Sequence, residues 1–151
     1  MDQCRLLVLT FVITAVYDVI LQVVCHNFDR MPRLIQWFDF IPSLKPYFEK
    51  HTILSAALIA GFVGILAQYV ILTIQSFPKT LSQFVPFLGI TFVVSALIGL
   101  PMQYSGLFPI LNETYYRYLG TLRGLYHDGI SGLIVQITLF VVVNGIKFTS
   151  R

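Results

Sequence analysis

Charged residues are scarce in this chain of 151 residues, where Asp, Glu, Lys and Arg together make up 11%. A soluble domain carries about 25% charged residues to cover its surface. Hydrophobic residues make up 56% of the chain, and the mean hydropathy is +0.78. They are concentrated in four long runs, as expected when lipid is the solvent for those runs. The composition therefore predicts an integral, multi-pass membrane protein.

The sequence also lacks the usual patterns of catalysis and ligand binding. It contains no Gly-rich phosphate loop, no nucleophile elbow and no paired-carboxylate pattern. Its ten Lys and Arg residues are scattered singly, so nucleic-acid binding is not indicated. The two cysteines, Cys4 and Cys25, would lie about 30 Å apart on a helix, too far for a disulfide. We therefore predict no enzyme activity and no cofactor.

The four apolar runs predict a single all-α transmembrane domain, a bundle of four helices. Strands are excluded because they would leave backbone groups unpaired in lipid, and four strands are too few to close a barrel. The first run is longer than a signal-peptide core and is read as retained. The predicted spans are residues 6–25, 53–74, 84–100 and 130–146, and the string His127–Gly129 predicts a turn before the fourth.

Two long loops, residues 26–52 and 102–128, fall on one side of the membrane, here called the long-loop side. The first loop is rich in proline and aromatic residues mixed with Arg and Lys, which is typical of a segment in the headgroup region. Six Lys and Arg residues lie on this side and four on the opposite, terminal side. This difference is too small to decide orientation.

The first run carries a polar stripe, Thr10, Thr14, Asp18 and Gln22, at four-residue spacing on one helical face. A carboxylate within the bilayer costs several kcal/mol unless it is neutral or paired, so the stripe must face the bundle. Asp18 is either the centre of a proton or ion relay or a hydrogen-bonding group that joins helices. The second interpretation is favoured, because the polar residues of the other spans are uncharged: Gln68, Thr91, Ser95 and Gln136.

Small residues recur at helical spacing in the second and third runs and predict close helix packing. We favour packing within one chain, with homo-oligomerisation as the alternative. The residues are Ala57, Ala60, Gly61, Gly64 and Ala67 in the second run, and Thr91, Ser95 and Gly99 in the third.

All three histidines, His26, His51 and His127, fall near predicted helix ends on the long-loop side, with Asp128 beside His127. Imidazole and carboxylate suit zinc, but the spacing is not that of a metal motif. We therefore predict no metal site, with these four residues as the minor alternative. Asn112–Thr114 matches a glycosylation sequon, which we read as unused.

Ala15–Asp18 in the first run and Asp128–Gly132 at the fourth resemble an uncharacterised family of small four-helix membrane proteins, found in bacteria and in some large DNA viruses. The family has an Asp followed four residues later by Gly, as Asp128 and Gly132 are here. Its middle motif has an acid after its tyrosine, where this chain has Ser105. The resemblance implies the architecture and, through the viral members, an internal virion membrane.

Aromatic and Arg residues in both long loops are of the types that anchor protein interfaces. We therefore expect a structural or assembly protein whose long-loop face docks neighbouring membrane proteins or a coat or capsid layer. The alternative is a small transporter or channel with a polar path centred on Asp18. The proposed docking residues are Arg33, Trp37, Phe38, Tyr115, Tyr116 and Arg117.

Overall fold

The computed structural model describes the backbone of residues 2–38, 40–50, 52–104 and 120–149. These ranges are helical and contain no strand. Four helices each contain a stretch long and apolar enough to cross a membrane, which confirms the predicted all-α bundle. The helices are α1 Gln3–His26, α2 Arg33–Gln36, α3 Phe40–Ser43, α4 Lys45–Lys50, α5 Ile53–Ile74, α6 Leu81–Tyr104 and α7 Thr121–Thr149.

Several predictions fall on residues outside the described ranges. They are the docking residues Tyr115, Tyr116 and Arg117, the sequon at Asn112 and the histidine His51.

The starts of α5 and α6 follow from side-chain caps. Thr52 accepts a hydrogen bond from the Ser55 N–H (3.2 Å), so α5 begins where the sequence predicted. The Thr80 hydroxyl accepts from the Gln83 N–H (3.4 Å), and the Gln83 side chain accepts from the Lys79 N–H (3.0 Å). These bonds resemble a capping box and begin α6 three residues before the predicted residue 84.

The start of α7 corrects the sequence prediction more substantially. Its first residue is Thr121, nine residues before the predicted start, so His127 and Asp128 lie inside a membrane helix. Gly120 accepts the first helical hydrogen bond, from Gly124 (2.9 Å), with a φ of 81° that residues with a Cβ rarely adopt. The turn predicted at residues 127–129 was wrong because Gly129 instead provides close packing: a Cβ there would lie 2.5 Å from the Phe92 ring.

Helix α1 packs most extensively against α5, and α6 against α7. Gly61 and Gly64 on α5 make the first contact close, because a Cβ on Gly61 would lie 2.7 Å from the Phe11 ring and one on Gly64 2.5 Å from the Thr14 hydroxyl. The small-residue stripe of α5 therefore serves packing within the chain. Homo-oligomerisation stays a prediction.

The outer face of α1 is apolar and lies opposite its polar stripe. About half of the surface of each side chain on this face is accessible in the isolated chain, as expected for residues that contact lipid. They are Val8, Val12, Val16, Ile20 and Val23.

The loop between α1 and α5 folds back over the long-loop end of the bundle. Ile41, Leu44 and Phe48 are buried in one cluster with Leu21 and Cys25 of α1. The Cys25 thiol donates to the Ile41 carbonyl at 3.1 Å, which ties α3 to α1. Cys4 and Cys25 are both free, in line with their predicted separation.

Apolar clusters close the opposite, terminal end. Ile71, Phe84 and Phe87 form one buried cluster, and Leu6, Leu139 and Val143 form a second. The rings of Phe84 and Phe140 stack with centroids 4.2 Å apart. The bundle is therefore apolar at both ends.

We predict that Gly132→Ala destabilises the bundle. Its Cβ would lie 2.7 Å from the Ser95 Cβ, a stiff part of α6, so the helices must move apart at a cost of about 1–3 kcal/mol. Gly89→Ala on α6 is the control, since its Cβ would meet nothing within 4 Å. The free energy of unfolding in SDS titrations measures both, and equal effects would contradict the packing described here.

Candidate functional site: a polar cavity inside the bundle

A cavity of about 130 Å³ lies between the four long helices, beneath the loop that carries α3 and α4. Every long helix contributes at least one polar side chain to its wall, including Asp18, Gln68, Ser95 and Asp128. Polar groups inside a membrane bundle are costly and mark functional sites by default. The cavity is therefore the candidate site.

Three members of the predicted polar stripe, Thr10, Thr14 and Asp18, line the cavity. The hydroxyls of Thr10 and Thr14 donate to the carbonyls of Leu6 (2.8 Å) and Thr10 (2.7 Å) one helical turn earlier. Gln22 is buried beside the cavity, and its Nε2 donates to Asp18 Oδ2 at 2.7 Å. The stripe thus faces inward along its length.

Helix α7 contributes more polar residues to the cavity than Gln136, which the sequence analysis had already named. His127, Asp128, Ser131 and Gln136 all line the cavity. The Ser131 and Tyr17 hydroxyls are hydrogen-bonded across α7 and α1 at 3.2 Å. The assumption that Asp18 faces only uncharged partners was wrong, because Asp128 had been assigned to a loop.

The helical spacing in α7 could have revealed this. Asp128, Gly132 and Gln136 recur every four residues, which keeps them near one face of a helix, and all three line the cavity. This spacing was overlooked because the helix was expected to begin after Asp128.

A side-chain amide pair lies at the deeper level of the cavity. Gln136 Nε2 donates to Gln68 Oε1, joining α7 to α5. Both side chains are buried, 3% and 1% exposed, and line the cavity. The other half of each amide, Gln68 Nε2 and Gln136 Oε1, has no hydrogen-bond partner among the described residues. The pair therefore offers the cavity one donor group, the Gln68 NH2, and one acceptor, the Gln136 carbonyl oxygen.

The polar groups form two levels. At about 1.5 Å per residue, Asp18 and Asp128 lie about 11–12 Å from the long-loop ends of α1 and α7. Gln68 and Gln136 lie about 22 Å from the corresponding ends of α5 and α7. The Tyr17–Ser131 bond joins the helices at the first level and the amide pair joins them at the second.

One wall of the cavity is apolar. Helix α5 lines it with Ile59, Ala60 and Val63, and α7 adds Val135. No Lys or Arg occurs among the described residues that line the cavity, so its charged groups other than histidine are the two carboxyls. The site is acidic at one level, neutral and polar at the other, and apolar along one side.

The candidate metal ligands do not come together within the described chain. His26 is exposed at the end of α1, whereas His127 is buried in α7 next to Asp128. The described residues contain no group of three or more His, Cys, Asp or Glu side chains that could hold a metal ion.

The first docking segment is strongly exposed. Trp37 is 79% exposed and Leu34 67%, and Arg33 and Phe38 are also exposed. These residues lie on α2 and just after it, away from the cavity.

Comparison of the chain with known protein families, curated proteins and solved structures finds no match in any of the three. The resemblance to the family of small four-helix membrane proteins therefore stays a prediction.

We predict that Gln68→Leu or Gln136→Leu alone destabilises the bundle, because each leaves a buried amide without its partner. The double substitution removes both amides and should cost less than the sum of the two single changes. The coupling free energy from a double-mutant cycle in SDS titrations should be about 0.6–2 kcal/mol. Purely additive effects would show that the amide pair does not join α5 to α7.

Proposed function

We propose that this protein transports a small cationic solute across the membrane through the cavity, with Asp18 at the centre of the path. The observation that carries the proposal is that Asp18 on α1 and Asp128 on α7 face one cavity to which all four long helices contribute polar groups. Two carboxyls with no Lys or Arg in the described wall attract a cation.

The hydrogen bonds of the described residues support transport over the helix-joining role of Asp18. The carboxyl of Asp18 accepts from Gln22 on its own helix. The side-chain bonds that join long helices are made by neutral groups: Tyr17 with Ser131, Gln68 with Gln136, and Gln22 Nε2 with the Ile53 carbonyl at 3.5 Å. Asp18 is thus placed to meet a solute, while neutral groups hold the helices together.

The closed ends favour a transporter over an open channel. Leu44 and Phe48 bound the cavity on the long-loop side, and Ile71 bounds it on the terminal side. A solute held between two apolar barriers crosses only when each barrier opens in turn, as in alternating access.

Docking of a partner protein is the second candidate, supported by the exposure of Trp37 and Leu34. Aromatic side chains of this kind anchor interfaces. The partner would be a neighbouring membrane protein or a coat layer, and the virion internal membrane implied by the family resemblance belongs to the same proposal.

The transport proposal predicts charge movement in proteoliposomes on a solid-supported membrane. Concentration jumps of protons, sodium and methylammonium should give a current with at least one of these ions. Asp18→Asn and Asp128→Asn should each lower it at least tenfold, because each removes from the path a carboxyl that can accept a proton or bind a cation. Asp29→Asn, on the exposed loop, is the control and should leave the current unchanged. Currents no larger than those of empty liposomes would overturn the proposal.

The docking candidate predicts that Trp37→Ala weakens partner binding while leaving the current intact, because Trp37 lies away from the cavity. Crosslinking through a photoreactive residue at position 34 in the native membrane identifies what contacts this segment. Crosslinks to lipid alone would contradict protein docking.

A further inference from the structure

The carboxyl level of the cavity has the chemistry of an ammonium site. Asp18 and Asp128 approach it from two helices, with the Tyr17 and Ser131 hydroxyls at the same level. An ammonium group has three N–H donors, and carboxylates and hydroxyl oxygens accept them. Charge-assisted bonds of this kind are about twice as strong as neutral ones.

The amide level of the cavity is suited to a different functional group of the ligand. The buried Gln68 and Gln136 side chains leave one amide nitrogen, Gln68 Nε2, and one carbonyl oxygen, Gln136 Oε1, without a partner among the described residues. If both amides are flipped, so that Gln68 donates to Gln136, one NH2 group and one carbonyl oxygen are still left without a partner. A hydroxyl group donates one hydrogen bond and accepts others, so a single hydroxyl satisfies both.

The distance between the levels sets the length of the ligand. The two levels are about 10–12 Å apart along the helix axes. Side chains lean toward the start of their helix, so Asp18 leans toward the amides and the two glutamines lean toward the carboxyls. Asp128 leans the other way, toward the start of α7, so Asp18 is the carboxyl nearer to the amides. The remaining gap suits a chain of about four carbons at standard bond lengths.

The apolar wall and the volume favour an organic ion over a hydrated metal ion. Ile59, Val63 and Val135 give a hydration shell no hydrogen-bond partners, whereas they pack well against methylene groups. The volume of about 130 Å³ is close to the roughly 150 Å³ of an engineered apolar cavity that binds benzene, a molecule of six heavy atoms.

We propose that the cavity binds a small amino alcohol, with its ammonium group at Asp18 and Asp128 and its hydroxyl group at the Gln68–Gln136 pair. The proposal rests on the proposed transport function and names its substrate class. At both ends of the ligand, hydrogen bonds to the protein replace the hydrogen bonds that the ligand makes to water. Its carbon chain lies against α5.

Isothermal titration calorimetry of the full chain in nanodiscs tests the ligand with three compounds of equal length. They are 4-aminobutan-1-ol, pentan-1-amine, which has a methyl in place of the hydroxyl, and butane-1,4-diol, which has a hydroxyl in place of the ammonium. Empty nanodiscs correct for partitioning into lipid. The amino alcohol should bind most tightly, the amine about two- to tenfold more weakly, and the diol at least tenfold more weakly.

Variants of the chain test which residues bind the ammonium end of the ligand and which bind its hydroxyl end. Asp18→Asn and Asp128→Asn should weaken binding of both amines at least tenfold. The double variant Gln68→Leu/Gln136→Leu should abolish the preference for the amino alcohol over pentan-1-amine while retaining amine binding. Thr138→Val, at an exposed position of α7 outside the cavity, is the control and should bind as the unmodified chain does.

Each failure has a distinct meaning. Equal affinity for diol and amine, or no amine binding to the unmodified chain, overturns the amino alcohol proposal even where proton or sodium currents persist. If amines bind but no solute gives a current, and 4-aminobutan-1-ol is among the solutes tested, the transport proposal is overturned. The proposed binding site is then still supported. Since the three-ligand series needs only the unmodified chain, a variant that fails to fold does not remove the test.

Discussion

The intolerance of lipid for unpaired polar groups governs the arrangement of this bundle. Helix α1 carries a row of polar side chains along one face and valines and isoleucine along the other, so only one rotation about its axis is favourable. Once the polar row faces inward, the neighbouring helices must offer polar groups at matching depths. Helices α5 and α7 do so with Gln68 and Ser131. The cavity lies where these rows meet.

The apolar clusters at the two ends complete this arrangement. On the long-loop side the seal is built by short helices of the connecting loop, held to α1 by burial and by the Cys25 thiol. On the terminal side it is built by the long helices themselves, through Phe84, Phe87 and Leu139. The two barriers therefore differ in kind: one is built by the short helices of a loop, and the other by the long helices themselves.

Much of this arrangement was readable from the sequence. The bounds of α5 were predicted as observed, because an uncharged run and a Thr cap mark them, and the inward stripe of α1 followed from its spacing. The cavity was not predicted, because it depends on Asp128. The string His127–Gly129 signals a turn locally, yet Gly129 packs against Phe92 and the helix already begins after Gly120, which has a positive φ. Those causes lie far from Asp128 along the chain.

The depth of the carboxyl level has an electrical consequence. Asp18 lies about 12 Å into a helix of about 36 Å, close to one third of the way across. A full crossing of one elementary charge is worth about 2.3 kcal/mol per 100 mV. A cation that reaches Asp18 from the long-loop side thus traverses about one third of the field, worth about 0.8 kcal/mol per 100 mV. If the proposed cation binds there, occupancy of the cavity is coupled to membrane voltage, and the side from which the cation enters fixes the sign.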